Sequence, residues 1–115
     1  MTKMRWLAAG LSVAFTLPAT AQNAPAEVVT QPYTCDRGAR VDATYLNIGD
    51  RSFAVVGFEG RQLGFAIDVS ASGARYVSTD PAQPFVWWTK GDTAMLLHGT
   101  GDAETAVYAS CAATP

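Results

Sequence analysis

The chain carries few side chains of the kind that perform chemistry. Its single histidine, His98, follows two leucines and precedes a glycine turn, which favours a structural role near that turn. A zinc site needs three or four His, Cys or carboxylate ligands, and a serine hydrolase needs a base held by an oriented acid. The sequence supplies neither set. We therefore expect no catalytic residue, no metal and no cofactor, and the chain is predicted not to be an enzyme.

The acidic and glycine-rich turns also lack the patterns of known ligand-binding loops. Asp80, Asp92, Asp102 and Glu104 are scattered in turns and lack the Asp-x-Asp-x-Asp-Gly spacing of a calcium loop, so we interpret them as solvated turn residues. The Gly-Thr-Gly stretch at 99–101 is too short for a phosphate-binding loop, and it does not open a helix.

Two predicted turns present a small polar or cationic tip beside a glycine. SASGARY covers residues 70–76, and WTKGD covers residues 88–92. On the residues alone, each is an ordinary hairpin loop. Trp87 and Trp88 are neighbours on the strand before the second turn, so they must point to opposite faces. One is expected in the core, and the other lies outward, as a contact or as a simple surface residue.

The first 21 residues are typical of a signal peptide. A basic start is followed by an apolar run over 6–17 and by small residues up to Ala21. The apolar run is too short for the ~20 residues of a spanning helix. We expect cleavage after Ala21 and a periplasmic protein. Because Gln22 and not a cysteine follows the cleavage site, we expect no membrane anchor.

The remaining chain divides into a short lead-in and one domain. Residues 22–31 lack periodicity and contain Pro25, which predicts a flexible segment, and residues 32–115 form the domain. Removal of the signal peptide leaves six basic against ten acidic residues, a net charge of −4. This charge argues against a nucleic-acid partner. It suits a basic protein partner.

Cys35 and Cys111 lie near opposite ends of the predicted domain. In an oxidising compartment, two cysteines favour a disulfide over a metal pair, with two free thiols as the alternative. Such a bond would close a loop of 76 residues.

The domain has an apolar period of two, interrupted by Gly and Asp turns, which predicts an all-β fold. Short connections between successive strands predict an antiparallel meander. Closing that sheet removes its exposed edges, so we expect a small barrel of about eight strands whose disulfide ties the first strand to the last. A two-sheet sandwich is the alternative. The predicted strands cover 32–36, 41–46, 53–58, 61–69, 75–78, 85–90, 93–98 and 104–111.

Four groups of residues resemble the family of periplasmic and membrane-bound inhibitors of c-type lysozyme. They are Tyr33-Thr34-Cys35, Ser72-Gly73-Ala74-Arg75-Tyr76, Thr89-Lys90-Gly91-Asp92 followed by Ala94, and the closing Cys111. The two internal motifs together are fairly specific, whereas either alone is weak. The resemblance spans nearly the whole domain.

The resemblance implies an eight-stranded antiparallel barrel that inserts two adjacent loops into the active-site cleft of a c-type lysozyme. Ser72 and Lys90 would be the inserted tips that hydrogen-bond the catalytic carboxyl groups, and Thr89 could add a hydrogen bond. The two glycines would let the tips turn sharply, while Arg75 and Tyr76 would brace the first loop. The implied lysozyme-binding residues are thus Ser72, Gly73, Arg75, Tyr76, Thr89, Lys90 and Gly91.

Two positions depart from the family pattern. Phe85 stands where tyrosine is more usual, which removes a hydroxyl that could act as a brace or a contact. The stretch 77–84 is longer than this connection normally is, which puts the relative height of the two tips in doubt. The alternative function is a periplasmic barrel that binds a small ligand or a cell-wall fragment without inhibiting lysozyme, and a homodimer is left open.

Overall fold

The computed structural model describes residues 12–14 and 25–115. The predicted cleavage site after Ala21 and all of the predicted signal peptide except 12–14 lie outside these residues. No helix in the described part is long and apolar enough to cross a membrane. Two single 3-10 turns, Asp36–Gly38 and Gly101–Ala103, accompany eight strands. The strands are β1 Ala26–Cys35, β2 Arg40–Ile48, β3 Arg51–Phe58, β4 Arg61–Asp68, β5 Ala74–Ser78, β6 Phe85–Lys90, β7 Thr93–His98 and β8 Thr105–Ala113.

The eight strands form one closed antiparallel barrel in sequence order. This confirms the predicted fold and excludes the sandwich. The closing seam is short, because β1 and β8 share only three register pairs, at 33–35 and 111–113. Cys35 lies directly opposite Cys111 in that seam, and the two form a disulfide. The bond therefore ties the first strand to the last, as the sequence predicts.

The lead-in differs from its prediction. Residues 26–31 are not a flexible segment but the first part of β1, because β2 continues to Ile48 and pairs with β1 as far as Ala26. The amide of Gln31 also donates to the backbone oxygen of Thr114 at 2.8 Å. Strand pairing on one side and the chain end on the other thus hold this segment. Residues 22–24 lie outside the described part.

Alternate residues point into the barrel and form its core. Trp87 is fully buried, and its Nε1 donates to the Tyr45 hydroxyl at 2.9 Å, while the Tyr45 and Tyr33 hydroxyls lie 2.6 Å apart. Trp88 is only partly buried, and its indole nitrogen reaches a neighbouring loop. The prediction that one tryptophan fills the core and the other lies outward is therefore confirmed.

The barrel has two ends, which we call the rim and the base. In an antiparallel meander, alternate connections share one end. The rim therefore holds the start of β1, the connections at 49–50, 69–73 and 91–92, and the chain end after β8. The base holds both 3-10 turns and the connections at 59–60 and 79–84.

The two departures from the family pattern both lie at the base. The long connection after β5 leaves the strand at the end opposite to the tips, so it does not come between them. Phe85 is buried and packs against Phe58 and His98, with ring centroids 5.0 and 4.8 Å apart. A hydroxyl at position 85 would lie far from either tip. His98 is exposed at the end of β7, where it packs edge-to-face against Phe85.

Candidate functional site

The two predicted tips are neighbours on the rim. We define the first tip as residues 70–73 and the second tip as residues 89–92. They extend from β5 and β6, which pair so that Ala74 lies opposite Thr89. Gly73 has a φ of +68°, and a Cβ added there would overlap the carbonyl oxygen of Thr89 and lie 2.7 Å from Cγ of Lys90. The first tip therefore packs directly against the second.

The main chain of the first tip is held from two sides. The Ser70 hydroxyl donates to the backbone oxygen of Ser72 at 2.5 Å and accepts from the Ser72 N–H at 3.3 Å. The Nε1 of Trp88 donates to the same Ser72 oxygen at 2.9 Å. The Ser72 side chain is exposed, and its hydroxyl makes no hydrogen bond with any residue of the described part. The backbone that carries this hydroxyl is therefore held, and the hydroxyl itself is available to a partner.

Lys90 places a positive charge at the second tip. Its ammonium lies 5.2 Å from the ring centroid of Trp88, a cation–π geometry. Within residues 12–14 and 25–115, no carboxylate forms a salt bridge with it. The Lys90 carbonyl accepts from the Thr93 hydroxyl at 2.9 Å, and Gly91 makes the turn with a φ of +57°. The charge is thus exposed and uncompensated on a well-defined hairpin.

Arg75 is committed to acidic groups of its own chain. Its guanidinium lies 2.5 Å from a carboxylate oxygen of Glu104 and 3.3 Å from one of Asp68. The same group lies 5.7 Å from the Trp88 ring centroid. Trp88 therefore has Arg75 and Lys90 as cationic neighbours. Because Arg75 is ion-paired, its position fits a brace for Trp88 and not an inserted contact.

Tyr76 and Thr89 point into the barrel mouth. Tyr76 is buried, and its ring lies 5.7 Å from that of Tyr45. Burial raises the pKa of Tyr76, because the phenolate would lose its hydration. The Thr89 hydroxyl makes only a long contact of 3.5 Å with the carbonyl of Ala74. Both residues border an opening in the rim.

We call this opening the mouth recess, and it has a volume of about 320 Å³. It joins side chains from three strands, β1, β2 and β5, with the second tip. Sequence reasoning identified the β5 and β6 side of it but missed Val29, Tyr45 and Asn47. The period of two along β2 could have found Tyr45 and Asn47, since it continues inward beyond the buried part of the strand. The recess is lined by Val29, Tyr33, Tyr45, Asn47, Tyr76, Thr89 and Gly91.

The rim carries an acidic surround. Glu27, Asp50, Asp68 and Asp92 lie at strand ends and turns on this end of the barrel. In the described part of the chain, no three or more His, Cys, Asp or Glu side chains come close enough to hold a metal ion. The arrangement is a cationic and hydroxyl-bearing projection within an acidic rim, which suits contact with a basic protein surface.

Comparison with known sequences places both tips within a known family pattern. The profile of the family described as membrane-bound lysozyme-inhibitor of c-type lysozyme matches residues 33–105. A membrane-bound lysozyme inhibitor of C-type lysozyme from Pseudomonas aeruginosa is 43% identical over 65 residues, which cover 56% of this chain and 48% of that protein. One from Cupriavidus necator is 36% identical over 85 residues, covering 72% of this chain and 64% of that protein. The chain thus spans less than two thirds of either relative.

Solved structures share the barrel. PliC-St, the periplasmic lysozyme inhibitor of C-type lysozyme from Salmonella typhimurium, superposes with a TM-score of 0.67 over 76% of this chain and 99% of that chain. At 21% identity, this match shows the fold alone. The MliC of Pseudomonas aeruginosa, crystallised in complex with hen egg white lysozyme, superposes with a TM-score of 0.61 at 31% identity. That match covers 91% of this chain and 98% of the other.

Proposed function

Because the chain belongs to the MliC family of c-type lysozyme inhibitors, whose function is protein binding and not catalysis, we propose that it inhibits a c-type lysozyme by inserting Ser72 and Lys90 into the active-site cleft. The observation that carries this proposal is the packing of the two tips. Gly73 lies against Lys90, so a free hydroxyl and an uncompensated ammonium project side by side from one end of the barrel.

The chemistry of the target explains why these two groups inhibit. Lysozyme cleaves its polysaccharide with two carboxyl groups, one protonated with a raised pKa and the other ionised. The ammonium of Lys90 has three donors and can satisfy the ionised carboxylate in a narrow cleft. The hydroxyl of Ser72 can accept from the protonated group or donate to the ionised one. Occupying both carboxyl groups removes the acid, the nucleophile and the space for substrate together.

The tips are held before they bind. Trp88 fixes the backbone of Ser72 through its indole N–H and supports the ammonium of Lys90 on its ring. Arg75 also lies against the Trp88 ring while it is paired with Glu104. A preorganised projection loses less conformational entropy on binding than a flexible loop does. Arg75 and Trp88 are therefore positioning residues, and Ser72 and Lys90 are the contacts.

The charge distribution favours a basic partner. The rim holds four carboxylates against the three cations Arg51, Arg75 and Lys90, and the chain after the predicted signal peptide has a net charge of −4. A field of this sign accelerates encounter with a positively charged protein. Lys90 then meets the local negative potential inside the cleft, whereas the rim meets the positive surface around it. The two charges act on different parts of the same partner.

Substitution of Lys90 tests the proposal. In an assay of cell-wall lysis by hen egg white lysozyme, Lys90→Ala should raise the inhibition constant by roughly 30-fold to several-thousand-fold, the effect of removing one partner of a desolvated charge pair. Ser72→Ala should raise it by about 5- to 30-fold, because a neutral hydroxyl contributes less. The matched control is Arg40→Ala, which removes an exposed positive charge at the base. An unchanged constant for Lys90→Ala, or an equal loss for Arg40→Ala, would contradict the proposal.

We further propose that the protein acts in the periplasm after removal of residues 1–21. The support is the signal-peptide pattern before Gln22. Expression of the full chain followed by fractionation and N-terminal sequencing tests this. The expected result is a periplasmic protein that begins at Gln22, and recovery in the membrane fraction with residues 1–21 intact would contradict it.

A further inference from the structure

The mouth recess opens beside the two tips and has no part in the inhibition proposed above. Thr89 and Gly91 of the second tip form one of its walls. The opening therefore adjoins the surface that a protein receiving Ser72 and Lys90 would contact. Its volume of about 320 Å³ is at the lower end of the range for ligand pockets.

One tyrosine that lines the recess has a hydroxyl without a partner in the described chain. Tyr76 is 7% exposed, and its hydroxyl makes no hydrogen bond with any described residue. The other tyrosines differ, since Tyr33 bonds Tyr45 and Tyr108 donates to Glu59. In the described part, every side-chain polar atom that is closed off from solvent has a hydrogen-bond partner. The Tyr76 oxygen has none, so it is open to solvent through the recess. That oxygen is therefore free to accept a hydrogen bond from a group that enters the recess.

The edge of the recess is negative. Glu27 accepts a hydrogen bond of 3.2 Å from the amide of Asn47, which lines the recess. Asp92 follows Gly91, and its charge adds to burial in raising the pKa of Tyr33. Within the described residues, neither carboxylate forms a salt bridge. Two unpaired carboxylates thus border an opening with aromatic walls.

The cations of the rim point away from the recess. Lys90 lies over Trp88, on the outer face of β6, and Arg51 lies 5.2 Å from the ring centroid of Phe53. Arg75 is paired with Asp68 and Glu104. No positive group of the described chain therefore compensates the recess.

We propose that the mouth recess receives one arginine or lysine side chain from the border of the lysozyme cleft. This inference rests on the proposed function and names a second contact for the same complex. The rings of Tyr45 and Tyr76 offer cation–π contact, the Tyr76 hydroxyl accepts a hydrogen bond, and Asp92 and Glu27 neutralise the charge. A guanidinium fits best, because its planar fork both stacks on a ring and donates several hydrogen bonds.

Two substitutions in the inhibitor test this with hen egg white lysozyme as the probe. Tyr76→Phe removes only the unpartnered hydroxyl, and Asp92→Asn removes one charge. Together they should raise the inhibition constant by about 5- to 30-fold, and they should weaken its dependence on salt. Tyr76→Phe should leave the unfolding midpoint unchanged, since no bond within the described chain is lost. Tyr108→Phe is the matched control, because it loses a bond to Glu59 at the base and should lower the midpoint without changing inhibition.

Lysozyme variants that each replace one arginine or lysine beside the cleft with glutamine identify the occupant. For one such position, the effects of that change and of Tyr76→Phe/Asp92→Asn should be non-additive by at least about 3-fold, as for residues in contact. Additivity at every position, or an unchanged inhibition constant for the double variant, would overturn the inference. Binding of tri-N-acetylchitotriose by the wild type but not by Tyr76→Phe would assign the recess to a saccharide and also overturn it.

Lys90→Ala, measured in the same series, separates the two proposals. If Lys90→Ala weakens inhibition and the recess variants do not, only the inference about the recess fails. If Lys90→Ala has no effect, the proposed insertion fails whatever the recess variants do. Failure of the wild type to inhibit any c-type lysozyme would contradict both.

Discussion

Gly73 and Lys90 are packed against each other across the two tips. Gly73 is in the left-handed region, with a φ of +68°, and a Cβ on it would lie 2.7 Å from Cγ of Lys90. The backbone of the first tip therefore rests on the aliphatic stem of the lysine whose ammonium is proposed to enter the lysozyme cleft. The positions of the Ser72 hydroxyl and the Lys90 ammonium are coupled by this contact.

Gly73→Ala should disrupt inhibition more than it disrupts folding. The added methyl would overlap the Thr89 carbonyl oxygen, which is backbone, so the two tips must move apart. We expect the left-handed conformation alone to lower the free energy of unfolding by ~1–2 kcal/mol. The inhibition constant should rise by about 10-fold or more, because a displacement of 1 Å disturbs a preorganised contact strongly. Chemical denaturation and the lysis assay measure the two effects.

Gly91→Ala is the control for that experiment. Gly91 also has a positive φ, of +57°, yet nothing lies within 4 Å of its added Cβ. It should lose only the ~1–2 kcal/mol that the left-handed conformation costs, and it should show a much smaller loss of inhibition than Gly73→Ala. Equal inhibition constants for the two variants would contradict the coupling of the tips.

Trp88→Phe should weaken inhibition while the barrel stays folded. The substitution keeps an aromatic ring near Lys90 and Arg75 but removes the N–H that binds the Ser72 carbonyl at 2.9 Å. One such hydrogen bond contributes ~0.5–1.5 kcal/mol, so the inhibition constant should rise by about 2- to 13-fold. A larger loss is expected for Trp88→Ala, which also removes the ring. Inhibition by Trp88→Ala equal to that of wild type would show that this platform does not position the tips.

Much of the fold follows from local pattern. The predicted bounds of the strands at 85–90 and 93–98 agree with β6 and β7, since Gly91 and Asp92 define the turn between them. The opposite orientations of Trp87 and Trp88 follow from the period of a strand. Closure of the barrel follows less directly, from the number of strands and the two cysteines. These features depend on residues that are neighbours in the sequence, or on the number of strands and cysteines.

The mouth recess and the ion pairs could not be predicted in this way. Tyr45 and Tyr76 are 31 positions apart in the sequence, and they meet because the sheet curves until β2 and β5 face each other across the mouth. Arg75 of β5 and Glu104, the residue before β8, are 29 positions apart, and these two strands are not adjacent. The early start of β1 could not be predicted from residues 26–31 alone. These residues are a strand because they pair with the end of β2, which follows the turn at 36–38. Each depends on curvature or register, which alternation alone does not specify.

Loss of the disulfide should remove a substantial part of the barrel's stability. Cys35 and Cys111 close a loop of 76 residues across a seam of three register pairs. The chain-entropy relation gives ~4 kcal/mol for a loop of this length, against ~5–15 kcal/mol for a typical domain. Cys35→Ala/Cys111→Ala should therefore lower the unfolding free energy by about 4 kcal/mol and, since its unfolded chain is less constrained, steepen the denaturant dependence. A loss below ~1 kcal/mol would show that strand pairing alone holds the seam.

All four tyrosines should resist ionisation while the barrel is folded. Burial is the main cause that raises the pKa of Tyr33, Tyr45 and Tyr76, and a hydrogen bond to Glu59 raises that of Tyr108. A raised pKa in the folded state favours the neutral phenol, so its contribution to stability is complete below the unfolded value of ~10 and is lost as the pH rises through the folded value. These tyrosines should therefore not lower the unfolding free energy until about pH 10, and the unfolding free energy should decline above that pH. Near-ultraviolet absorbance should show tyrosinate appearing together with loss of the β-sheet circular dichroism.

Tyr45→Phe, which leaves the indole N–H of Trp87 unpaired, should lower stability at neutral pH by ~1–3 kcal/mol and make the alkaline decline shallower. Ionisation of Tyr33 or Tyr45 near pH 10 with the sheet intact would contradict the hydroxyl network that joins these two residues to Trp87.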